Sequence, residues 1–297
     1  MTPQRILFRT VVRLFETINR IQGPVKQCHI DLAPLPSDNN HTDIITIAFN
    51  NDKIIPLHTR YVATNYTAPH THIIADNSTD PRASANIEAF CQENNIAYLR
   101  LPANKLGKIG GPSYSHATAL NWCYHHIINR RKPAYFGFTD HDLFPLKPVD
   151  LRPILDQQNF YGPKRPRGNY WYLSGILSFF KYSYTRTRKV DFMPVTFHGV
   201  YLDSGGGNWN GLYREAEPSK LVFCKERLEK ASDKCSDLPG FVGGTADNTK
   251  EANRHQDLVE IFDELWLHTI NGSYWKKIAI TKEDTLPLLI ERYAATI

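Results

Sequence analysis

The tripeptide Asp140-His141-Asp142 stands directly after the apolar run AYFGFT and directly before LFP. Two carboxylates one residue apart at the end of a strand can both reach one hard cation, and Mg2+ or Mn2+ held this way can bridge a substrate diphosphate. Acting as a Lewis acid, such a cation stabilises the charge that develops on a departing nucleotide diphosphate. A capped turn uses the same residue types, so the tripeptide takes its meaning from where it falls in the fold. Other polar residues close apolar runs in the same way: Phe49 and Asn50 follow one, and Asp76 and Asn77 end another. Asp203 follows a third and lies just ahead of glycines, which let a backbone approach a ligand closely.

The elements that must position these groups are legible as an alternation. DIITIAFN (43–50) has the continuous apolar, β-branched character of a strand buried on both faces. A helical pattern over 52–66 follows, then the apolar run THIIADNSTDP, a helix over 84–94 and a third strand in IAYLRLP. The loop ANKLGKIGGPSYS leads to a helix that buries Ala117, Leu120, Tyr124, Ile127 and Ile128, and AYFGFTDHD makes a fourth strand. Strand and helix alternating through 43–142 predict right-handed βαβ units and a mostly parallel sheet. Ligands of such sheets bind at the carboxyl ends of the strands, and those ends carry Ala48, Phe49, Asn50, Asp76 and Asp140 to Asp142. Beyond Gln158 the alternation lapses; the spacing of Leu258, Ile261, Phe262, Leu265 and Trp266 predicts a helix over 254–268. The expected organisation is an amphipathic helix and connecting loop (1–42), a nucleotide-binding half (43–150) and an acceptor-binding half (151–297) of one domain.

From IAFNN through ADNSTD to DHD, the chain resembles the nucleotide-binding half of GT-A glycosyltransferases, and among them the inverting family 2 group. The resemblance covers roughly residues 43–181 and rests on three motifs in order. It implies a Rossmann-like α/β fold and a nucleotide-diphosphate-sugar donor. Carried over by position, Asp76 accepts a hydrogen bond from the base, while Ala48, Phe49 and Asn50 line base and ribose. Lys105 and Gly111, ahead of a helix N-terminus, lie near ribose and phosphates; His116 faces the nucleotide or packs. Asp140 and His141 border the donor, Asp140 and Asp142 hold the metal, and His268 in LWLHTINGSYW is a third ligand that favours Mn2+ over Mg2+. His255 is a weaker candidate. Inverting transfer to a hydroxyl needs a general base, here Asp203, with Asp247 and Glu251 in reserve. The family commonly has Glu-Asp at that point, whereas Leu202 precedes Asp203 here. Aromatics at Tyr170, Trp171, Tyr172, Trp209 and Trp275 suit stacking on sugar faces, or a core.

Composition sets the remaining bounds. With 41% hydrophobic residues the chain can build a large core, and a net charge of +5 fits an anionic partner. No Lys/Arg run of the kind that tracks a phosphate backbone occurs, which argues against nucleic acid. Five cysteines without CxxC spacing fit a reducing, cytoplasmic setting. In RILFRTVVRLFETINRI, arginines 5, 9 and 13 recur at helical spacing beside a broad apolar side. That helix packs on its own domain or makes peripheral membrane contact. Glycan ends, lipid-linked sugars and proteins all remain open as acceptors. A nucleotidyltransferase would share the scaffold and the paired carboxylates, but IAFNNDK lacks the Gly-rich phosphate loop of such enzymes. A non-catalytic binding module would have no use for a diphosphate metal.

Overall fold

A computed structural model of the chain describes residues 3–239, 241, 258–269 and 285–297. The central sheet has seven strands in the order β1-β4-β3-β2-β5-β10-β7. These are β1 (Lys26–Cys28), β2 (Thr42–Ala48), β3 (His70–Asp76), β4 (Ala97–Arg100), β5 (Tyr135–Asp140), β7 (Phe160–Tyr161) and β10 (Leu177–Lys181). Strands β4, β3, β2 and β5 run parallel, and β1, β10 and β7 add antiparallel at the two edges. Helices cover both faces: α1 (Pro3–Ile21), α2 (Ile54–Asn65), α3 (Pro81–Glu93), α4 (Leu106–Gly110), α5 (Pro112–Cys123) and a C-terminal helix, Leu286–Thr296. Every residue of β2 is buried, as a strand sandwiched between helical layers requires. On one face Ile45, Ile47, Phe136 and Phe138 meet Ala117, Leu120 and Ile127. On the other, Ala48 and Ile74 meet Ile54, Ile87 and Leu289.

A second, four-stranded sheet joins β6 (Leu143–Pro145) to β13 (Glu226–Lys230), β14 (Leu258–Phe262) and β15 (Trp266–His268), in the order β13-β14-β15-β6. The helix expected over 254–268 is therefore corrected: residues 258–268 form a hairpin. Three residues, Asp263 to Leu265, join the paired Phe262 and Trp266. Asp263 and Glu264 both have φ of 53°, and Leu265 N–H donates to the Phe262 carbonyl at 2.9 Å, closing a tight turn whose twist matches that of the strands. The apolar set that fits a 3.6-residue period is explained by Val259, Ile261 and Leu267 packing towards Ile290 while Phe262 and Trp266 pack against Phe179 and Leu143. Smaller differences are strand β1 inside the expected connecting loop and α4 inside 103–115. Two ribbons, β8 (Lys164–Arg167) with β9 (Tyr170–Leu173) and β11 (Val195–Phe197) with β12 (Val200–Leu202), complete the fold.

Buried polar groups tie the layers together. Arg131 makes a two-pronged ion pair to Asp43 at the amino end of β2, with contacts of 2.8 and 3.0 Å and both side chains buried. Thr46 Oγ1 lies 2.9 Å from His58 Nε2, 2.8 Å from His72 Nε2 and 2.9 Å from Thr139 Oγ1, a network beneath the carboxyl ends of β2 and β5.

Candidate metal and nucleotide site

Strand β5 ends at Asp140, and β6 begins at Leu143, so the Asp140-His141-Asp142 turn joins the central sheet to the second one. Pairing of β15 with β6 sets His268 opposite Leu143, one residue from Asp142. Thr269 N–H donates to the Asp142 carbonyl at 3.0 Å, which fixes the register at the turn. One ligand atom each from Asp140, Asp142 and His268 lies within 4.8 Å of the others. The His268 Nε2 to Asp142 Oδ1 separation is 3.5 Å. Two carboxylate oxygens and an imidazole nitrogen so disposed fit a small divalent cation, and the nitrogen tilts the set towards Mn2+.

Glu260 lies directly across the hairpin from His268 and its Oε2 is 2.5 Å from His268 Nδ1. This contact fixes the ring so that Nε2 faces Asp142, the arrangement in which a carboxylate orients a ligating histidine. Arg165 in turn reaches Glu260 at 3.1 Å. Burial disfavours charge on His268, but Asp142 and Glu260 on either side outweigh it and raise its pKa to about 10. Burial likewise opposes ionisation of Glu260, yet His268 and Arg165 hold its carboxyl down at about 2.

His116, on α5, stands between two loops: Nε2 is 2.9 Å from Asp140 Oδ1 and Nδ1 is 3.2 Å from Ser204 Oγ. Burial opposes its protonation, but the Asp140 carboxylate prevails and the pKa is raised. Through Ser204 the structure brings the Asp203 loop beside Asp140. Asp203 is half-buried; its Oδ1 accepts from Ser204 N–H at 2.8 Å and from Tyr201 Oη–H at 3.3 Å.

Asp76 and His141 depart from expectation. Asp76 is completely buried, and its carboxylate accepts from Ser78 N–H at 2.9 Å, Ser84 Oγ–H at 2.5 Å and Tyr98 Oη–H at 3.1 Å, with Arg100 Nη1 at 3.0 Å. Four donors fill the roughly four acceptor positions of a carboxylate. Asp76 thus closes the exit of β3, and its carboxylate, expected to face a base, is instead fully engaged by groups of the protein itself. His141 turns away from Asp140 and Asp142, as alternation at a strand end dictates; its Nδ1 lies 3.1 Å from the Ile47 carbonyl, and the ring is buried. It supports the turn from behind.

Asn50, with φ of 53°, accepts from the N–H groups of Thr79 and Asp80 at 2.7 and 2.8 Å and so ties the β2 exit to the β3 exit. Ala48 is buried, while Phe49 keeps partial exposure. Lys105 is exposed ahead of α4, and Gly111, at φ 95°, joins α4 to α5 with open space where a side chain would stand. Tyr170, Trp171 and Trp209 pack with one another and with Tyr213, a core role. Asp247, Glu251, His255 and Trp275 lie outside the described residues.

His58 was not singled out by sequence reasoning; it sits beneath the turn, and burial, then His141, push its pKa down to about 3, against the pull of Asp142 and Asp140. A folded-state value below the unfolded one means the unfolded chain takes up a proton that the fold refuses, so stability falls as pH drops below about 6.5. From pH 6.5 to 5, His58 should cost about 2 kcal/mol. His268 contributes nothing to this slope because its raised value is fully expressed below 6.5, and Glu260 acts only below about 4.5. Denaturant melts of wild type and His58→Gln across that range check this; an equal slope in both would clear His58.

No protein-family model matches the chain, and no curated protein matches it by sequence. Among solved structures it is similar to the galactosyltransferase LgtC in complex with donor and acceptor sugar analogs, at 12% identity over 50% of this chain and 60% of that one, with a TM-score of 0.37. It is similar to the mannosyltransferase PcManGT from Pyrobaculum calidifontis in complex with GDP-Man and Mn2+, at 14% identity over 61% and 56%, with a TM-score of 0.35. TarS from S. aureus in complex with UDP-GlcNAc gives 14% identity over 50% and 47%, with a TM-score of 0.33. The chain thus spans 60% or less of the length of each of these three proteins.

Proposed function

We propose that the protein is a metal-dependent glycosyltransferase that moves a sugar from a nucleotide-diphosphate-sugar to a hydroxyl acceptor on a glycan, a lipid-linked sugar or a protein, with inversion. The observation that carries the reading is the Asp140, Asp142 and His268 cluster at the carboxyl edge of β5. Mn2+ or Mg2+, if bound there, would supply charge neutralisation for a departing diphosphate. Asp140, Asp142 and His268 would hold the cation, Glu260 keeps Nε2 of His268 directed at Asp142, and His116 positions Asp140 against the Asp203 loop. Asp203 removes the acceptor proton. Phe49, Lys105 and the Gly111 turn border the donor. A cytoplasmic setting belongs to the same reading and rests on cysteine usage alone.

The purified protein, given Mn2+ and a panel of nucleotide-sugars headed by GDP-Man and UDP-GlcNAc, should slowly hydrolyse at least one donor even without acceptor. A folded protein that neither hydrolyses nor binds any member of the panel would overturn the reading.

A further inference from the structure

Helix α1 is amphipathic, yet only part of its apolar side is used in packing. Val12, Glu16 and Asn19 are buried, and Phe8 meets Tyr114 edge-on at 5.7 Å. Leu7, Leu14, Ile18 and Ile21 remain 65%, 57%, 40% and 75% exposed. Their spacing of seven, four and three residues sets them in one stripe along the helix, and Ile6, 53% exposed, lies near its edge. Four large aliphatic side chains in line on a surface helix mark a contact surface rather than scattered exposure.

What borders the stripe decides what it contacts. Arg13, Thr17 and Arg20 lie one step round the helix and line a groove with Arg186, Arg188 and Lys189. Arg186 also lines a second groove, with Lys132 and Lys181, at the amino ends of β2 and β5. These cations come from three separate segments. Arg186, Lys189 and Lys132 are exposed and carry no ion pair among the described residues. The acids there, Glu16 and Asp191, are buried, and Asp191 is paired with Arg13 at 2.7 Å. An apolar stripe beside a basic face matches a bilayer whose headgroups are anionic: the side chains enter the interface, and the cations meet lipid phosphates. A second copy meeting this face about a two-fold axis would instead set basic groove beside basic groove.

We propose that this face, α1 with the grooves around Arg186, docks the protein on an anionic membrane surface. The docking is independent of the glycosyltransferase reading, because it is measured as binding and not as transfer.

The test is co-sedimentation with phosphatidylcholine vesicles with and without phosphatidylglycerol. Wild type should bind the anionic vesicles, more weakly as salt rises, and bind the neutral ones poorly. Leu14→Ser with Ile18→Ser should weaken binding by about tenfold or more, and Arg186→Gln with Lys189→Gln by roughly fivefold per cation. These side chains are exposed, so melts should match wild type, and either pair tests the proposal if the other fails to fold. No binding to anionic vesicles at low salt, or binding that neither pair of changes weakens, would overturn it. So would self-association that the Leu14 and Ile18 changes abolish in a protein that ignores vesicles.

Discussion

Asp142→Asn should remove Mn2+-dependent binding of UDP and GDP, lowering affinity by more than about a hundredfold, since even partners one shell away from a metal cost 10–100-fold. Without a cation, Asp140 and Asp142 would repel a diphosphate at close range. The asparagine keeps the size of the side chain and one oxygen but loses the charge. His268 also loses one of the two carboxylates that raise its pKa. Isothermal calorimetry of wild type with Mn2+, wild type with EDTA, and the variant with Mn2+ gives the comparison. The first should bind and the other two should not, while circular dichroism shows the variant folded, its melting point lowered because the buried His268 loses one of its two carboxylate partners. Undiminished binding in EDTA together with undiminished binding by Asp142→Asn would remove the metal from the reading altogether.

Why Asp142 could be found in the sequence, and its neighbours could not, follows from how each is positioned. Asp140 and Asp142 belong to a strand end, and strand ends announce themselves: a continuous apolar run stops abruptly in polar residues. The same rule located β2, β3 and β5 to within a residue or two, because strands buried on both faces leave little freedom in composition. The rule says nothing of what a polar residue bonds to. Asp76 and Asp140 end their runs in the same manner, on the two strands that flank β2, yet Asp76 is enclosed by Ser84, Tyr98 and Arg100, all distant in sequence or on another element. Glu260 was missed for a different reason. In a helix over 254–268, Glu260 and His268 would sit two turns apart; in the hairpin they are a direct cross-strand pair. The signal was present in the β-branched and aromatic run LVEIF, the turn Asp263-Glu264 and the run LWLH, but a 3.6-residue period fitted the apolar positions equally well. Ser204 and His116 meet only through tertiary packing of α5 against the glycine loop, which no local pattern encodes.

Asp203→Asn should lower sugar transfer by a factor on the order of 10² to 10⁴, the usual share of a general base, while leaving donor and metal binding in place. The position supports the role in two ways. His116 contacts Asp140 on one side and Ser204 on the other, so the Asp203 loop lies one imidazole ring away from Asp140. The loop also cannot drift: Gly205 has φ of 95°, and a Cβ there would stand 2.4 Å from the Leu173 carbonyl, so the backbone is pressed against β9. A carboxylate on a fixed loop is preorganised to meet an acceptor hydroxyl, whereas an amide of the same shape accepts hydrogen bonds but takes no proton. Turnover should therefore fall with KM for the donor unchanged. Ser204→Ala, which removes the hydroxyl facing His116 but keeps the base, should fall much less. The assignment of Asp203 is falsified if Asp203→Asn retains near-normal turnover, or if its loss of activity follows a loss of folding in thermal melts. Should Asp247→Asn or Glu251→Gln show the selective loss instead, the base moves to that residue while the metal site and the donor chemistry keep their assignment.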